Sequence, residues 1–104
     1  MTYWMRCYWA EDDTWFYFEV DDEDMVVRQV ELQGSDRVVT AASSVDEWQR
    51  AFRAGSAAAY ESSYGITADL RVSDWEGHVP EMMTAEEFED VWTAARAQVT
   101  ERSR

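Results

Sequence analysis

Three runs dense in β-branched and aromatic residues fill the first third of the chain: YWMRCYW at 3–9, WFYFEV at 15–20 and MVVRQVEL at 25–32. Polar clusters separate them, EDDT at 11–14, DDED at 21–24 and QGSD at 33–36. Short β-forming runs divided by turn residues pair with their sequence neighbours, which predicts an antiparallel meander. RVVTAA at 37–42 extends it as a candidate fourth strand.

Turn placement sets the faces. With Asp22–Glu23 at the tip of the second hairpin, Tyr17 lies opposite Arg28 and Trp15 opposite Val30. A first turn over 10–14 sets Trp9 opposite Trp15 and Cys7 opposite Tyr17. Side chains alternate along a strand. One face then carries Tyr3, Met5, Cys7, Trp9, Trp15, Tyr17, Glu19, Val26, Arg28 and Val30. The other carries Trp4, Arg6, Tyr8, Phe16, Phe18, Val20, Met25, Val27 and Gln29. Neither is polar, although an antiparallel sheet usually turns one face to water. Either both faces are covered or one presents aromatics to a partner, a second copy of the chain included.

The second half reads as helical. Ser44 with Glu47 fits a capping box, Val45, Trp48 and Phe52 follow at helical spacing, and Gly55 is a stop. A short helix is expected over 56–63, ending near Gly65, and residues 66–83, with Gly77 and Pro80, read as irregular. Thr84 with Glu87 is the clearer capping box. Phe88, Val91, Trp92, Ala95 and Val99 then form one apolar stripe suited to packing on the sheet. Acids sit early in this helix and Arg96 and Arg102 late, as the helix dipole prefers. The predicted architecture is α+β: a three- to four-stranded antiparallel meander followed by two or three helices, with the C-terminal helix on the sheet. The length of 104 residues fits one domain over 1–104, with an ordered core of about 2–100 and a fraying tail.

Charge narrows the function classes. Nine basic residues, all Arg, face 22 acidic ones for a net charge of −13. That field repels phosphate backbones and anionic membrane surfaces and favours a basic protein partner, though acidity also serves plain solubility. No apolar run reaches the ~20 residues of a membrane span, and no basic-then-apolar leader opens the chain, so a cytoplasmic location is expected. The absence of Lys and Asn, with a single Ile, points to a GC-rich bacterial genome.

Catalytic and metal sets are sparse. Cys7 is the one cysteine and His78 the one histidine. They fall in a strand and in a Gly/Pro-containing loop, and two such ligands fall short of a zinc site. The acidic turns carry the carboxylates a calcium ion takes but lack the EF-hand pattern, and Asp is common at turns for local reasons. A carboxylate pair for glycoside hydrolysis carries no signal among 22 acids. No phosphate-binding glycine loop is present. No cofactor is therefore expected, and the chain reads as a non-enzyme.

Glu19 and Arg28 share a face on neighbouring strands, which suits either a cross-strand ion pair or a polar anchor in an aromatic binding surface. Six Trp exceed what two thin layers need. Trp and Tyr are favoured at binding hot spots, and one or two Trp are expected to be exposed. Trp75, in the irregular WEGHVPEMM stretch with His78, Met82 and Met83, is the leading candidate.

Two stretches carry a resemblance. Tyr17, Glu19, Val20 and Asp21, then Arg28, Val30 and Glu31, with the closing helix marked by Glu87, Phe88 and Trp92, resemble an uncharacterised family of small bacterial domains of unknown function. The family pairs a "Y-x-E-[ILV]-D" strand with an "R-x-V-E" strand. The match covers about half the chain; residues 42–80 have no counterpart, and the first turn is shorter than the family's. The resemblance implies a meander with a terminal helix, implies no known activity, and draws attention to Glu19, Asp21 and Arg28. The candidate binding surface is therefore Glu19, Asp21, Arg28, Trp75 and His78. The expected function is a non-catalytic acidic protein-binding domain, toxin-neutralising or inhibitor-like in its most concrete form. The alternative is a small-molecule or carbohydrate binder with an aromatic-lined site.

Overall fold

The aromatic runs pair in chain order. In the computed structural model, which describes residues 1–102, β1 (Tyr3–Trp9), β2 (Thr14–Val20), β3 (Val26–Gln33) and β4 (Val38–Ser44) form an antiparallel meander. A fifth strand, β5 (Glu81–Met83), pairs antiparallel with β1, giving the order β4-β3-β2-β1-β5. This strand lies in the stretch read as irregular, because three residues are too few to show alternation. Three helices complete the fold: α1 (Val45–Arg53), α2 (Ala57–Tyr64) and α3 (Ala85–Arg102). The α+β architecture with the C-terminal helix on the sheet is as the sequence predicts. The helix continues past residue 100 to Arg102, whose guanidinium donates to the Val39 carbonyl at 2.7 Å. Of the expected fraying tail, residues 103–104 lie outside the described residues.

The register corrects the expected faces. Ala10–Asp12 make a single 3-10 turn closed by Asp13 in the left-handed region (φ 47°), leaving four residues between Trp9 and its partner Thr14. One residue fewer than the expected turn moves all of β1 to the other face relative to β2. Trp4, Arg6 and Tyr8 therefore share a face with Glu19, Tyr17 and Trp15. The second hairpin is longer by two, so Glu19 pairs with Arg28 and Tyr17 with Val30, and β2 and β3 keep their shared face. A bulge between Glu19 and Val20 pairs Val20 with Val26, sending Val26 to the face opposite Arg28.

Both faces are covered, which accounts for the surplus of aromatics. On one, Phe88, Ala95 and Val99 of α3 bury against Tyr17, Val30, Val39 and Ala42, with Trp4, Trp15 and Trp92 packed around them. On the other, Met5, Cys7, Phe18, Val20 and Val26 bury under the 66–75 segment through Val72, Ala68 and Trp75. The layers are helix, sheet and an irregular strap rather than two. Of the two alternatives open for the apolar faces, cover from within the chain is the one observed.

Polar groups fix the strap and the small helices. The Ala68 N–H donates to buried Gln29 Oε1 at 2.8 Å, and the Ser43 and Thr67 hydroxyls bond at 2.7 Å. Asp24 in the DDED turn accepts from the Ser73 N–H with its carboxylate (2.6 Å) and from the Val72 N–H with its carbonyl (2.9 Å). Neither α1 nor α2 has a fully buried residue, so hydrogen bonds help place them, beside the packing of Tyr64 on the core. Ser44 caps α1 by accepting from the Glu47 N–H, but the Glu47 carboxylate does not return to it. It accepts instead from the Tyr60 hydroxyl at 2.7 Å and pairs with Arg96 of α3, so the box is half closed. The Thr84–Glu87 box closes in both directions, at 2.9 and 3.1 Å.

Candidate functional site

The five residues singled out from the sequence do not converge. Glu19 and Arg28 face each other across β2 and β3, Nε to Oε1 2.7 Å, beneath α3. The Trp4 indole N–H donates to Glu19 at 2.9 Å, Glu89 of α3 closes on the same guanidinium, and that guanidinium sits over the Phe88 and Trp92 rings at 5.0 and 5.1 Å. Burial pushes the Glu19 carboxyl up, but hydrogen bonds from Arg28 and Trp4 together with the Arg28 charge outweigh it and hold the group below the usual glutamate value. Burial works against the Arg28 charge, and its two carboxylate partners more than restore it. Both residues are about four-fifths buried, at 16% and 19% side-chain exposure. They bind the terminal helix to the sheet.

Trp75 and His78 lie on the opposite face. Trp75 packs edge-on against buried Phe18 with ring centroids 4.9 Å apart, and His78 packs on Trp75 at 5.6 Å. Trp75 is half-buried in the core rather than an exposed anchor. Trp9, at the first turn, is the Trp that stands exposed. Cys7 is buried on the same face as Trp75, and burial pushes its thiol up, away from the nucleophilic form.

The acidic turns are occupied by local bonds. Asp21 Oδ1 accepts from the Glu23 and Met25 N–H groups at 2.9 and 3.0 Å, and Asp13 accepts from the Tyr8 hydroxyl at 2.7 Å. Among the described residues no three His, Cys, Asp or Glu side chains converge tightly enough to hold a metal ion. No helix among them is long and apolar enough to cross a membrane.

Of the five, His78 lines an open hollow of about 500 Å³ with Tyr3, Met5, Val72 and Met82, and Asp21 lines an apolar cleft. This cleft, about 510 Å³, opens between the β2–β3 hairpin, α1, α2 and the start of the strap. Val26, Val27, Val45, Trp48 and Ile66 make its walls apolar. Its charged lining is Asp21, Glu61 of α2 and Asp69 of the strap, and among the described residues no cationic side chain contributes. The Trp48 indole N–H donates to Glu61 Oε2 at 2.8 Å, tying α1 to α2 and fixing both side chains in the wall. The exposed Phe52 ring stacks on Trp48 at 5.2 Å and continues the apolar ridge outward. The Tyr60 hydroxyl accepts from the Ser44 N–H at 2.9 Å and anchors α2 to the end of β4; burial, then the Glu47 carboxylate, push this phenol up to about 12.

Sequence reasoning saw Trp48 only as part of a helical stripe with Val45 and Phe52. The stripe is the signal that was available: it faces a cleft, and Phe52 is 62% exposed. Glu61 and Asp69 carry no local signal, since their relation to Trp48 is made by chain folding. No family model, curated protein or solved structure matches the chain.

Proposed function

We propose that this protein is a non-catalytic binding domain that engages a basic protein partner through the cleft between α1, α2 and the β2–β3 hairpin. The observation that carries the reading is the lining: an apolar pocket rimmed by three carboxylates and, among the described residues, no cation, on a chain of net charge −13. Like-signed charge around a low-dielectric concavity concentrates oppositely charged partners and speeds their encounter. The apolar walls, with Trp48 among them, supply the contact area that holds a partner once it arrives. In its most specific form the partner is a basic enzyme or toxin that the domain blocks.

Titration of the isotopically labelled protein with a lysine- and arginine-rich peptide, at low and at moderate salt, tests this. The expected result is salt-sensitive binding that shifts Val26, Val27, Glu61 and the Trp48 indole N–H resonances. Binding without shifts at these positions, or no binding at low salt, overturns it. A small-molecule reading rests on the cleft's volume, which falls in the ~300–1,000 Å³ range of small-ligand sites. It predicts that a neutral ligand produces the same shifts without salt dependence.

A further inference from the structure

The molecule builds one polar arrangement twice, and half of it a third time. Glu19 accepts the Trp4 indole N–H on Oε2 at 2.9 Å and still takes Arg28 with both oxygens, Nε to Oε1 at 2.7 Å and Nη2 to Oε2 at 3.1 Å. Glu47 accepts the Tyr60 hydroxyl on Oε1 at 2.7 Å and takes Arg96 with both oxygens, Nη1 to Oε2 at 3.2 Å and Nη2 to Oε1. In each case the guanidinium also lies over aromatic rings, Phe88 and Trp92 for Arg28, Tyr64 and Trp92 for Arg96. The neutral aromatic donor orients the carboxylate, and each carboxylate oxygen has lone pairs for two donors. The flat cation then fills the fork and stacks. Glu61 has the first half alone. Its Oε2 accepts the Trp48 indole N–H at 2.8 Å, and Phe52 stacks on Trp48. Among the described residues no arginine pairs with it. Glu19 and Glu47 meet arginines of their own chain, whereas Glu61 lines the open cleft. Val26, Val27 and Val45 line the same cleft and suit the methylenes of an incoming side chain. Asp21 and Asp69 add to the negative field there without having to touch the cation.

We propose that the cleft takes an arginine side chain of the protein partner, its guanidinium forked on Glu61 and flat against the Trp48 ring, completing the arrangement that Arg28 and Arg96 complete within the fold. This rests on the basic-partner reading above and names the group that the cleft reads.

The test uses short Gly/Ser peptides identical except for one central residue: arginine, lysine or citrulline. Affinity is measured by calorimetry and the site by the Trp48 indole and Val27 resonances. The arginine peptide is expected to bind at the cleft. The lysine peptide is expected to be about fivefold or more weaker, since an ammonium is a point charge that neither fills the fork nor stacks. Citrulline keeps the shape without the charge and is expected at background. Glu61→Gln keeps an acceptor for Trp48 but removes the charge, and is expected to weaken arginine binding about tenfold, the worth of one charge-assisted hydrogen bond. Trp48→Phe keeps a ring but frees the carboxylate, and is expected to weaken it about threefold, read at Val27. It serves as the second variant if thermal unfolding shows that the first is perturbed.

Lysine binding equal to or tighter than arginine, with cleft shifts, overturns the arginine assignment and leaves the basic-partner reading intact. Arginine affinity unchanged in a folded Glu61→Gln protein overturns the assignment of Glu61 as the acceptor. No cleft shifts with any cationic peptide overturns both readings. Methylguanidinium matching the arginine peptide in affinity overturns the commitment to a protein side chain and assigns the cleft to free guanidinium compounds.

Discussion

Arg28 lies directly opposite Glu19 on the paired strands β3 and β2, with its Nε 2.7 Å from Oε1 and a second donor, Nη2, 3.1 Å from Oε2. This two-pronged contact is the geometry in which a carboxylate and a guanidinium hold each other most firmly. Covered by Phe88 and Trp92 and joined by Glu89, it makes Arg28 one of the links between sheet and terminal helix.

Removing one partner of this pair therefore strands the other in a mostly buried setting. Arg28→Ala is expected to lower the unfolding free energy by about 2–4 kcal/mol, and Glu19→Gln by less because Gln still accepts from Trp4. The midpoint of urea unfolding measures both. An Arg28→Ala protein of unchanged stability would mean that α3 is held by its apolar stripe and by the bonds of Arg96 and Arg102 to the β4 carbonyls.

Trp75→Ala tests whether this ring is core or contact surface. Its packing on Phe18 predicts a loss of roughly 2–3 kcal/mol, below the full cost for a wholly buried Trp because the ring is half exposed. Peptide binding at the Trp48 cleft is expected to persist in this variant under conditions where it remains folded. Loss of binding with full stability would reverse the assignment.

Gly65 closes α2 at φ 83°, ψ −170°, a conformation only glycine adopts readily, and a Cβ there would lie 2.6 Å from that of Ala41. Gly65→Ala is expected to cost about 2–4 kcal/mol, since backbone strain and a collision with β4 add. Gly34 has φ 77° and open space around it, so Gly34→Ala, at about 1 kcal/mol, isolates the strain from the collision. Thermal unfolding of the pair gives the comparison.

The dependence of stability on pH has two opposing parts. Glu19 and Glu47 have folded values below the ordinary 4.5; burial raises each, but the hydrogen bonds and charge of Arg28 and Arg96, with help from Trp4 and Tyr60, prevail. Their contribution is fully present above 4.5 and is lost as pH falls through the lowered folded values. Burial raises Glu31 above 4.5, and hydrogen bonds from Gln29 and Thr40 offset only part of this. The folded state then binds the proton more tightly than the unfolded one, so its contribution is present below 4.5 and is lost as pH rises through the raised value. Urea midpoints followed over about pH 3–8 are expected to fall on the acid side in the wild type and less steeply in Glu19→Gln. Glu31→Gln is expected to remove the decline just above 4.5. A decline that persists in Glu31→Gln would assign it elsewhere.

The features legible in the chain are local ones. Alternating aromatic runs broken by acidic turns specify a meander wherever it is placed, and a capping box followed by Phe88, Val91, Trp92, Ala95 and Val99 specifies a helix with one apolar face. Both follow from periodicity and from hydrogen bonds spanning a few residues. The face carried by β1 was not legible, because it turns on a single residue in the first turn, where Asp13 adopts a left-handed backbone. Nor was β5, whose three residues are strand only because β1 is beside them. The roles of the acids and aromatics were decided by tertiary structure alone. Glu19, Arg28 and Trp75 became packing because α3 and the strap cover the two faces on which they stand. Asp21, Trp48, Glu61 and Asp69, spread over separate elements, became one cleft because hydrogen bonds from Trp48, Tyr60, Thr67 and Ala68 fix a helical hairpin and a strap with little buried surface of their own. Contacts between residues far apart in the chain leave no periodic trace in it, so the cleft exists only in the folded molecule.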